Sequence, residues 1–202
     1  MPMFPLGSAS LPGSVLTLHV FEPRYRALVR DCLAAAEPEF GVVMIERGRE
    51  VGGGDVRSGV GAVARMLRVS ETDDGPYAVI AGVGRRIRVR EWLPDNPYPY
   101  ADVDDWPDDA TLAVDEQRLQ TVVTRVRRAA SVALQLGDPV ADPDMALSAD
   151  ATVATFQLGG LAPLADLDRQ RLLCASGPGE RLALLEEMLD TVDDVLAFRL
   201  QD

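Results

Sequence analysis

The chain contains no lysine: all twenty of its basic residues are arginine. It holds one histidine, His19, one asparagine, Asn96, and two cysteines, Cys32 and Cys174. Each scarcity excludes chemistry. A phosphate-binding loop of the G-x-x-x-x-G-K-[ST] type needs its lysine to neutralise nucleotide phosphates, so no such loop can be built and no nucleotide is expected. A serine activated by a lysine is excluded on the same ground. One imidazole leaves His19 as the only base for a Ser/Cys–His–Asp triad, and no G-x-S-x-G elbow accompanies it. Two cysteines and one histidine without paired spacing fall short of the four protein ligands of a structural zinc. No metal, no cofactor and no catalytic residue are therefore expected.

Long apolar runs are also missing. No stretch of about twenty uninterrupted apolar residues exists, so no membrane span is expected. The uncharged start lacks a basic first segment and is broken by Pro2, Pro5 and Pro12, which excludes a signal peptide. A soluble, cytoplasmic protein with two buried free thiols is expected. The formal net charge is −12, with 47% hydrophobic and 26% charged residues. Residues 1–110 carry 17 acidic against 12 basic side chains, and residues 111–202 carry 15 against 8. No basic half exists, so the long-range field opposes nucleic acid and anionic membranes.

What is present is a change of period partway along the chain. Residues 16–29 read LTLHVFEPRYRALV. Leu16, Leu18 and Val20 alternate with Thr17 and His19, the pattern of a half-buried strand. Glu22 and Pro23 then mark a helix start, and Tyr25, Leu28, Val29, Cys32 and Leu33 fall on one helical face. Residues 40–45 (FGVVMI) form an apolar run of strand length. Residues 47–59 are glycine-rich and read as a mobile loop. Residues 60–69 and 77–81 flank the turn signal Asp73-Asp74-Gly75-Pro76 and predict a hairpin. Residues 83–92 alternate again, with Val83, Ile87 and Val89 opposite Arg86, Arg88 and Arg90. Residues 98–106 predict a last, short strand bent by Pro94, Pro97 and Pro99.

After the acidic joint at residues 107–110 the period becomes helical. Leu119, Val122, Val126, Ala129, Ala133 and Leu136 define a helix that ends at Gly137. Residues 149–158 and 166–175 predict two shorter helices separated by Gly159-Gly160 and Pro163. Residues 180–200 predict a final helix, apolar on more than one face and so packed on two sides. The expected class is α+β. A β-rich subdomain with one inserted helix spans residues 1–110, and a bundle of about four helices spans residues 111–202.

Three clusters invite a functional reading. Both tryptophans and two of the four tyrosines fall in residues 92–106, as Trp92, Tyr98, Tyr100 and Trp106. A partly exposed peptide- or partner-binding patch is read there, over which the Gly52–Gly54 loop could close. Arg86, Arg88 and Arg90 form a basic stripe, read as pairing across strands with carboxylates such as Asp102 and Asp104 rather than holding RNA. Phe21, Glu22, Pro23, Arg24 and Tyr25 read as scaffold. Phe21 anchors the strand, Pro23 starts the helix, and Glu22 pairs with a nearby arginine. The Asp-Asp pairs at 73–74, 104–105, 108–109 and 193–194 read as solvated charge, because they lack the glycine-punctuated spacing of a calcium loop.

A series of strings in fixed order then identifies a family. MFPL at 3–6, LPG at 11–13, LHVFEPRY at 18–25, FGVV at 40–43, GVGAVA at 59–64 and GVGRRIRV at 82–89 are followed by LAPL at 161–164, DRQRLL at 168–173 and ERL at 180–182. The series resembles the Lon substrate-binding domain, the amino-terminal domain of the ATP-dependent Lon protease. That resemblance implies a PUA-like β-rich pseudo-barrel followed by a helical bundle. It also implies a role in recognising polypeptides that are to be degraded. Lacking lysine and ending directly after its last helix, the chain reads as a free-standing amino-terminal domain without motor or protease. The function expected is a non-enzymatic module binding a polypeptide client or partner protein. The alternatives are an RNA-binding PUA-like domain and, behind it, a small hydrolase using His19.

Overall fold

A computed structural model describes residues 1–48, 54–71, 76–109 and 114–201. The chain divides into two compact units, residues 1–107 and 108–202.

The first unit is built on one six-stranded mixed sheet. Its elements are β1 (Met3–Leu6), β2 (Val15–Val20), α1 (Pro23–Ala34), β3 (Glu39–Arg47), β4 (Val56–Glu71), β5 (Tyr77–Leu93) and β6 (Tyr100–Asp105). The sheet order is β1-β3-β4-β5-β2, with β6 also on β5. Only β1 and β3 run parallel; the other pairs are antiparallel. β5 is long enough, at 17 residues, to serve two neighbours on one side. Its first part pairs with β2 (Val15↔Gly82 to Val20↔Tyr77), and its second part with β6 (Ile87↔Asp105 to Leu93↔Tyr100).

That division closes a ring. The amide of Met3 donates to the carbonyl of Pro99 (2.9 Å), and that of Ala101 donates to the carbonyl of Met1 (3.1 Å). Pro2 bridges Tyr100. The path β1-β3-β4-β5-β6 thus returns to the start of β1 as a closed pseudo-barrel, bent by register shifts in β4 and β5. β2 is left outside the ring, held by β5 alone among the described residues.

Two apolar clusters fill this unit. The smaller joins Met3, Val43, Val63, Ile87 and Ala101. The larger joins Phe4, Leu6, Val20, Phe40, Val42, Val79 and Ala81 to the buried face of α1, made by Tyr25, Leu28, Val29 and Cys32. Close packing explains two glycines. A Cβ on Gly61 would run into the carbonyl oxygen of Val42, and one on Gly41 into the thioether of Met3.

The second unit holds α2 (Glu116–Gln135), α3 (Ala151–Leu161), α4 (Asp166–Cys174) and α5 (Pro178–Arg199). Asp115 caps α2 by accepting from the amide of Arg118 (2.9 Å), and Asp150 caps α3 by accepting from Thr152 (2.8 Å). Gly137, at φ +85°, turns the chain out of α2. The core is leucine-rich, with Leu158, Leu172, Leu182, Leu185 and Leu189 at zero exposure. Each such side chain contributes about 1.5–3 kcal/mol relative to an exposed one.

Several sequence expectations change. β4 begins at Val56, where Val56↔Arg47 and Arg57↔Ile45 pair, so the expected loop over residues 47–59 is shorter at both ends. Residues 49–53, with Gly52 and Gly53, lie outside the described residues, as does the turn at 72–75. The two segments read at 77–81 and 83–92 are one strand. α3 continues through Gly159 and Gly160 to Leu161, because Leu158 and Leu161 are both buried in the core. Their burial outweighs a propensity cost of about 1 kcal/mol per glycine. On α5 the second apolar face is covered only in part: Met188 is buried and Leu184 packs on the core, but Val195 and Phe198 are 51% and 67% exposed. Cys32 is buried, but Cys174, at the end of α4, is exposed.

Candidate functional site

The open side of β2 borders an apolar groove of the first unit. The groove, of about 160 Å³, is lined by Phe4 and Leu6 of β1, by residues 17–20 of β2, and by Phe21, Glu22 and Tyr25 of the turn into α1. It exists because β6, not β2, closes the ring, so β1 and β2 face each other across a gap.

Pairing sets which groups face that gap. The amide of Val83 donates to the carbonyl of Ser14 (2.9 Å). Alternation from there turns the backbone groups of Leu16, Leu18 and Val20 toward β5, and those of Val15, Thr17 and His19 toward the outer edge. Side chains alternate as well. Val20 is buried and Leu16 and Leu18 pack on the larger core, whereas Val15, Thr17 and His19 are exposed. Nothing in Val15–Val20 guards the edge: it has no proline and no acidic or arginine side chain.

The turn after β2 is fixed by local chemistry. Pro23 opens α1, and the Nε of Arg24 donates to the Oε2 of Glu22 (3.1 Å). The guanidinium of Arg24 lies 4.5 Å over the ring of Tyr25. Tyr25 stacks on Phe4 with ring centroids 4.1 Å apart. Burial pushes the Tyr25 hydroxyl up to about 12, against the opposing pull of Arg24. Glu22, Pro23, Arg24 and Tyr25 are thus engaged within the turn and the core beneath it. Phe21 is not: its ring is 55% exposed and lies 6.3 Å from the ring of His19 at the groove's mouth.

The aromatic cluster at residues 92–106 is dispersed. Tyr98 is buried, and its hydroxyl donates to Asp31 (2.7 Å). Trp92 is half-buried beneath Arg57 (4.8 Å), which also donates to Asp55 and Asp95. Trp106 is half-buried beneath Arg86 (4.4 Å) and Arg88 (4.0 Å). Tyr100 is 39% exposed. Trp92 pairs with Ala101 and Leu93 with Tyr100, so Trp92 and Tyr100 lie on opposite faces of the ladder. These four rings do not form one open patch.

The arginine stripe is engaged too. Arg90 bonds Asp104, the carboxylate pairing expected there. Arg86 is 4% exposed rather than on a solvated face, and both it and Arg88 lie over the ring of Trp106. Arg85, which alternation did not single out, bridges Glu39 and Asp105, each at 2.9 Å. Among the described residues no group of three or more His, Cys, Asp or Glu side chains could hold a metal ion. Among them, too, no helix is long and apolar enough to cross a membrane.

Phe4 and Leu6 are the groove residues that sequence reading missed. MFPL is buried throughout, and an uninterrupted apolar tetrad signals burial without telling which strand lies opposite.

Among the described residues, a six-stranded mixed sheet with one helix, followed by four helices, defines an α+β protein with the fold of Lon amino-terminal domains. The model of the ATP-dependent protease La (LON) substrate-binding domain matches residues 1–191, and the chain belongs to that family. The crystal structure of a Lon N-terminal domain protein from Xanthomonas campestris superposes with a TM-score of 0.70 at 28% identity, covering 93% of this chain and 96% of that one. The N-terminal domain of Mycobacterium avium complex Lon protease shares the fold, with a TM-score of 0.65 at 15% identity over 94% and 97% of the two chains. The Lon protease of Anaeromyxobacter dehalogenans (strain 2CP-C) is 27% identical over 139 residues, which are 67% of this chain but 16% of that protein.

Proposed function

We propose that this chain is a non-enzymatic module that binds polypeptides, either clients destined for proteolysis or a partner protein, and that the groove beside β2 does the binding. The observation carrying the reading is an open apolar groove, edged by a strand whose outer side has no partner among the described residues, in a member of a substrate-binding family. An extended chain offers what such a groove takes, apolar side chains and a backbone to pair. The absence of lysine supports a role without ATP turnover and without a serine–lysine dyad. The arginines of β5 lend no support to RNA binding, since they are held by Asp104, Asp105, Glu39 and Trp106.

The test is a fluorescence anisotropy titration with a labelled disulfide protein trapped unfolded by reduction and alkylation, and with the same protein in its native, oxidised form. Saturable binding to the unfolded form alone, unchanged by ATP, is expected. A dissociation constant weaker than about 1 mM for unfolded and folded forms alike sinks the reading.

A further inference from the structure

A β-strand on the rim of a stable sheet is a hazard unless something blunts it or something uses it. Exposed amides and carbonyls template pairing with any extended chain, and proteins counter this with charge, proline, bulges or a cover. β2 has none of these within Val15–Val20. It reads VLTLHV, bears no acidic or arginine side chain, and its residues Val15, Thr17 and His19 are exposed. The omission is pointed in a chain where 26% of residues are charged. Val15, 63% exposed, stands at one end of the edge, and Phe21, 55% exposed, just beyond the other.

The groove supplies the second half of a strand-binding site. On one side it presents the outward backbone groups of Thr17 and His19. Its floor and far wall are Leu18, Val20, Tyr25, Phe4 and Leu6. Residues of β1 line the far side of the space that a further strand on β2 would enter. We infer that β2 recruits an extended polypeptide segment as an added strand, one with apolar residues at alternate positions and basic residues flanking them. This rests on the reading of the chain as a polypeptide binder and specifies how the chain is gripped.

Charge selects the occupant. Two copies of this chain each carry −12 and repel, which disfavours β2 pairing with β2 of a second molecule. No arginine lines the groove, and its one acidic side chain, Glu22, already accepts from Arg24. An acidic segment therefore finds no partner there, whereas arginine or lysine on either side of an apolar run is drawn by the protein's field.

Backbone pairing has a signature that side-chain burial lacks. The probe is a capped peptide of about nine residues, with valine alternating with threonine and arginine at both ends. It is titrated into the full chain, as are two versions N-methylated on either alternate set of valine or threonine amides. One methylated set is expected to weaken binding about tenfold or more, and the other to leave it within about twofold, because only one set faces β2. Replacing arginine by glutamate in the peptide is expected to weaken it further. On the protein, Thr17→Pro removes an outward amide while sparing the ladder to β5, and is expected to cost about tenfold. In the complex, the amides of Thr17 and His19 gain protection from hydrogen exchange. Equal effects of both methylated sets overturn the inference, even where Thr17→Pro fails to fold. If the unfolded protein binds while the methylated peptides and Thr17→Pro behave like their parents, added-strand binding is wrong and polypeptide binding stands. Concentration-dependent dimerisation abolished by Thr17→Pro assigns the edge to a second copy and overturns the inference as well.

Discussion

Arg181 is wholly buried in α5, and its guanidinium donates to both carboxylate oxygens of Asp108. Its Nε donates to the hydroxyl of Thr155 (2.9 Å), and its charge lies 3.7 Å over the ring of Phe156. A charge taken so far from water is tolerated only with its partners in place. Arg181→Leu removes the donor that the Asp108 carboxylate and Thr155 hydroxyl share. A loss of about 3–5 kcal/mol is expected in the helical unit's transition, read by urea unfolding followed by circular dichroism. A loss within the error of the fit is incompatible with the pair's role.

The α2–α5 interface should weaken in acid. Arg118 bonds Glu186, Arg125 bonds Asp190 and Asp193, Arg128 bonds Asp193, and Arg199 bonds Asp138. The arginine hydrogen bonds hold Glu186 and Asp138 below their ordinary values. At Asp193 burial pushes upward, but the bonds from Arg125 and Arg128 outweigh it and the carboxyl is lowered. A carboxylate depressed in the folded state stabilises fully above its unfolded value, about 4, and loses that stabilisation as pH falls through the folded one. Melting temperature is expected to be level from about pH 7 to pH 5 and to drop below about pH 4. Asp193→Asn is expected to cost no more than about 1 kcal/mol at neutral pH and to flatten the acid limb. An unchanged acid limb in that variant removes Asp193 from the account.

Of two glycines two residues apart, only one should be sensitive to an added methyl group. Gly61→Ala drives a methyl group into the carbonyl oxygen of Val42 and is expected to destabilise by about 1–3 kcal/mol. Gly59→Ala meets nothing within 4 Å and is expected to stay within about 0.5 kcal/mol. Thermal melts of the two variants side by side decide the matter.

The thiols should differ in reactivity. Burial, with the nearby charge of Asp31, pushes Cys32 up to about 11, and its Sγ donates to the carbonyl of Glu39 (3.3 Å). Cys174 is exposed. One equivalent of a thiol reagent is expected to add to the native protein at Cys174, located by peptide mass spectrometry. Cys32 should react only after denaturant is added. Native labelling of Cys32 at a comparable rate contradicts its burial.

Phe21 gives the sharpest separation of fold from binding. With half its ring in solvent, Phe21→Ala is expected to change stability by less than about 0.5 kcal/mol while weakening the affinity for the unfolded client. A variant that melts early, or binds normally, places the ring in the scaffold instead.

Local pattern carried a great deal. The alternation of Leu16, Leu18 and Val20, the proline at the start of α1 and the helical step through Leu119, Val122 and Val126 each reflect a period that neighbouring residues impose on themselves. The absence of lysine needs no structure to be chemically decisive. The site was less legible. LHVFEPRY marks the turn but does not say that Phe21 projects from it, since one apolar residue reads the same whether it anchors a core or faces water. Trp92 and Trp106 read as interface rings until Arg57, Arg86 and Arg88 are found lying over them.

The sequence by itself determined β2, α1 and α2, the change from strand to helical period, and the family. Only the tertiary structure decided which strand was left over. β2 and β6 both pair with β5, and both are short, alternating strands. Which of them meets β1 is a contact between residues about a hundred apart, at Pro2 and Tyr100, made when the chain closes on itself. No local period encodes that closure, and it is the closure that leaves β2 open beside its groove.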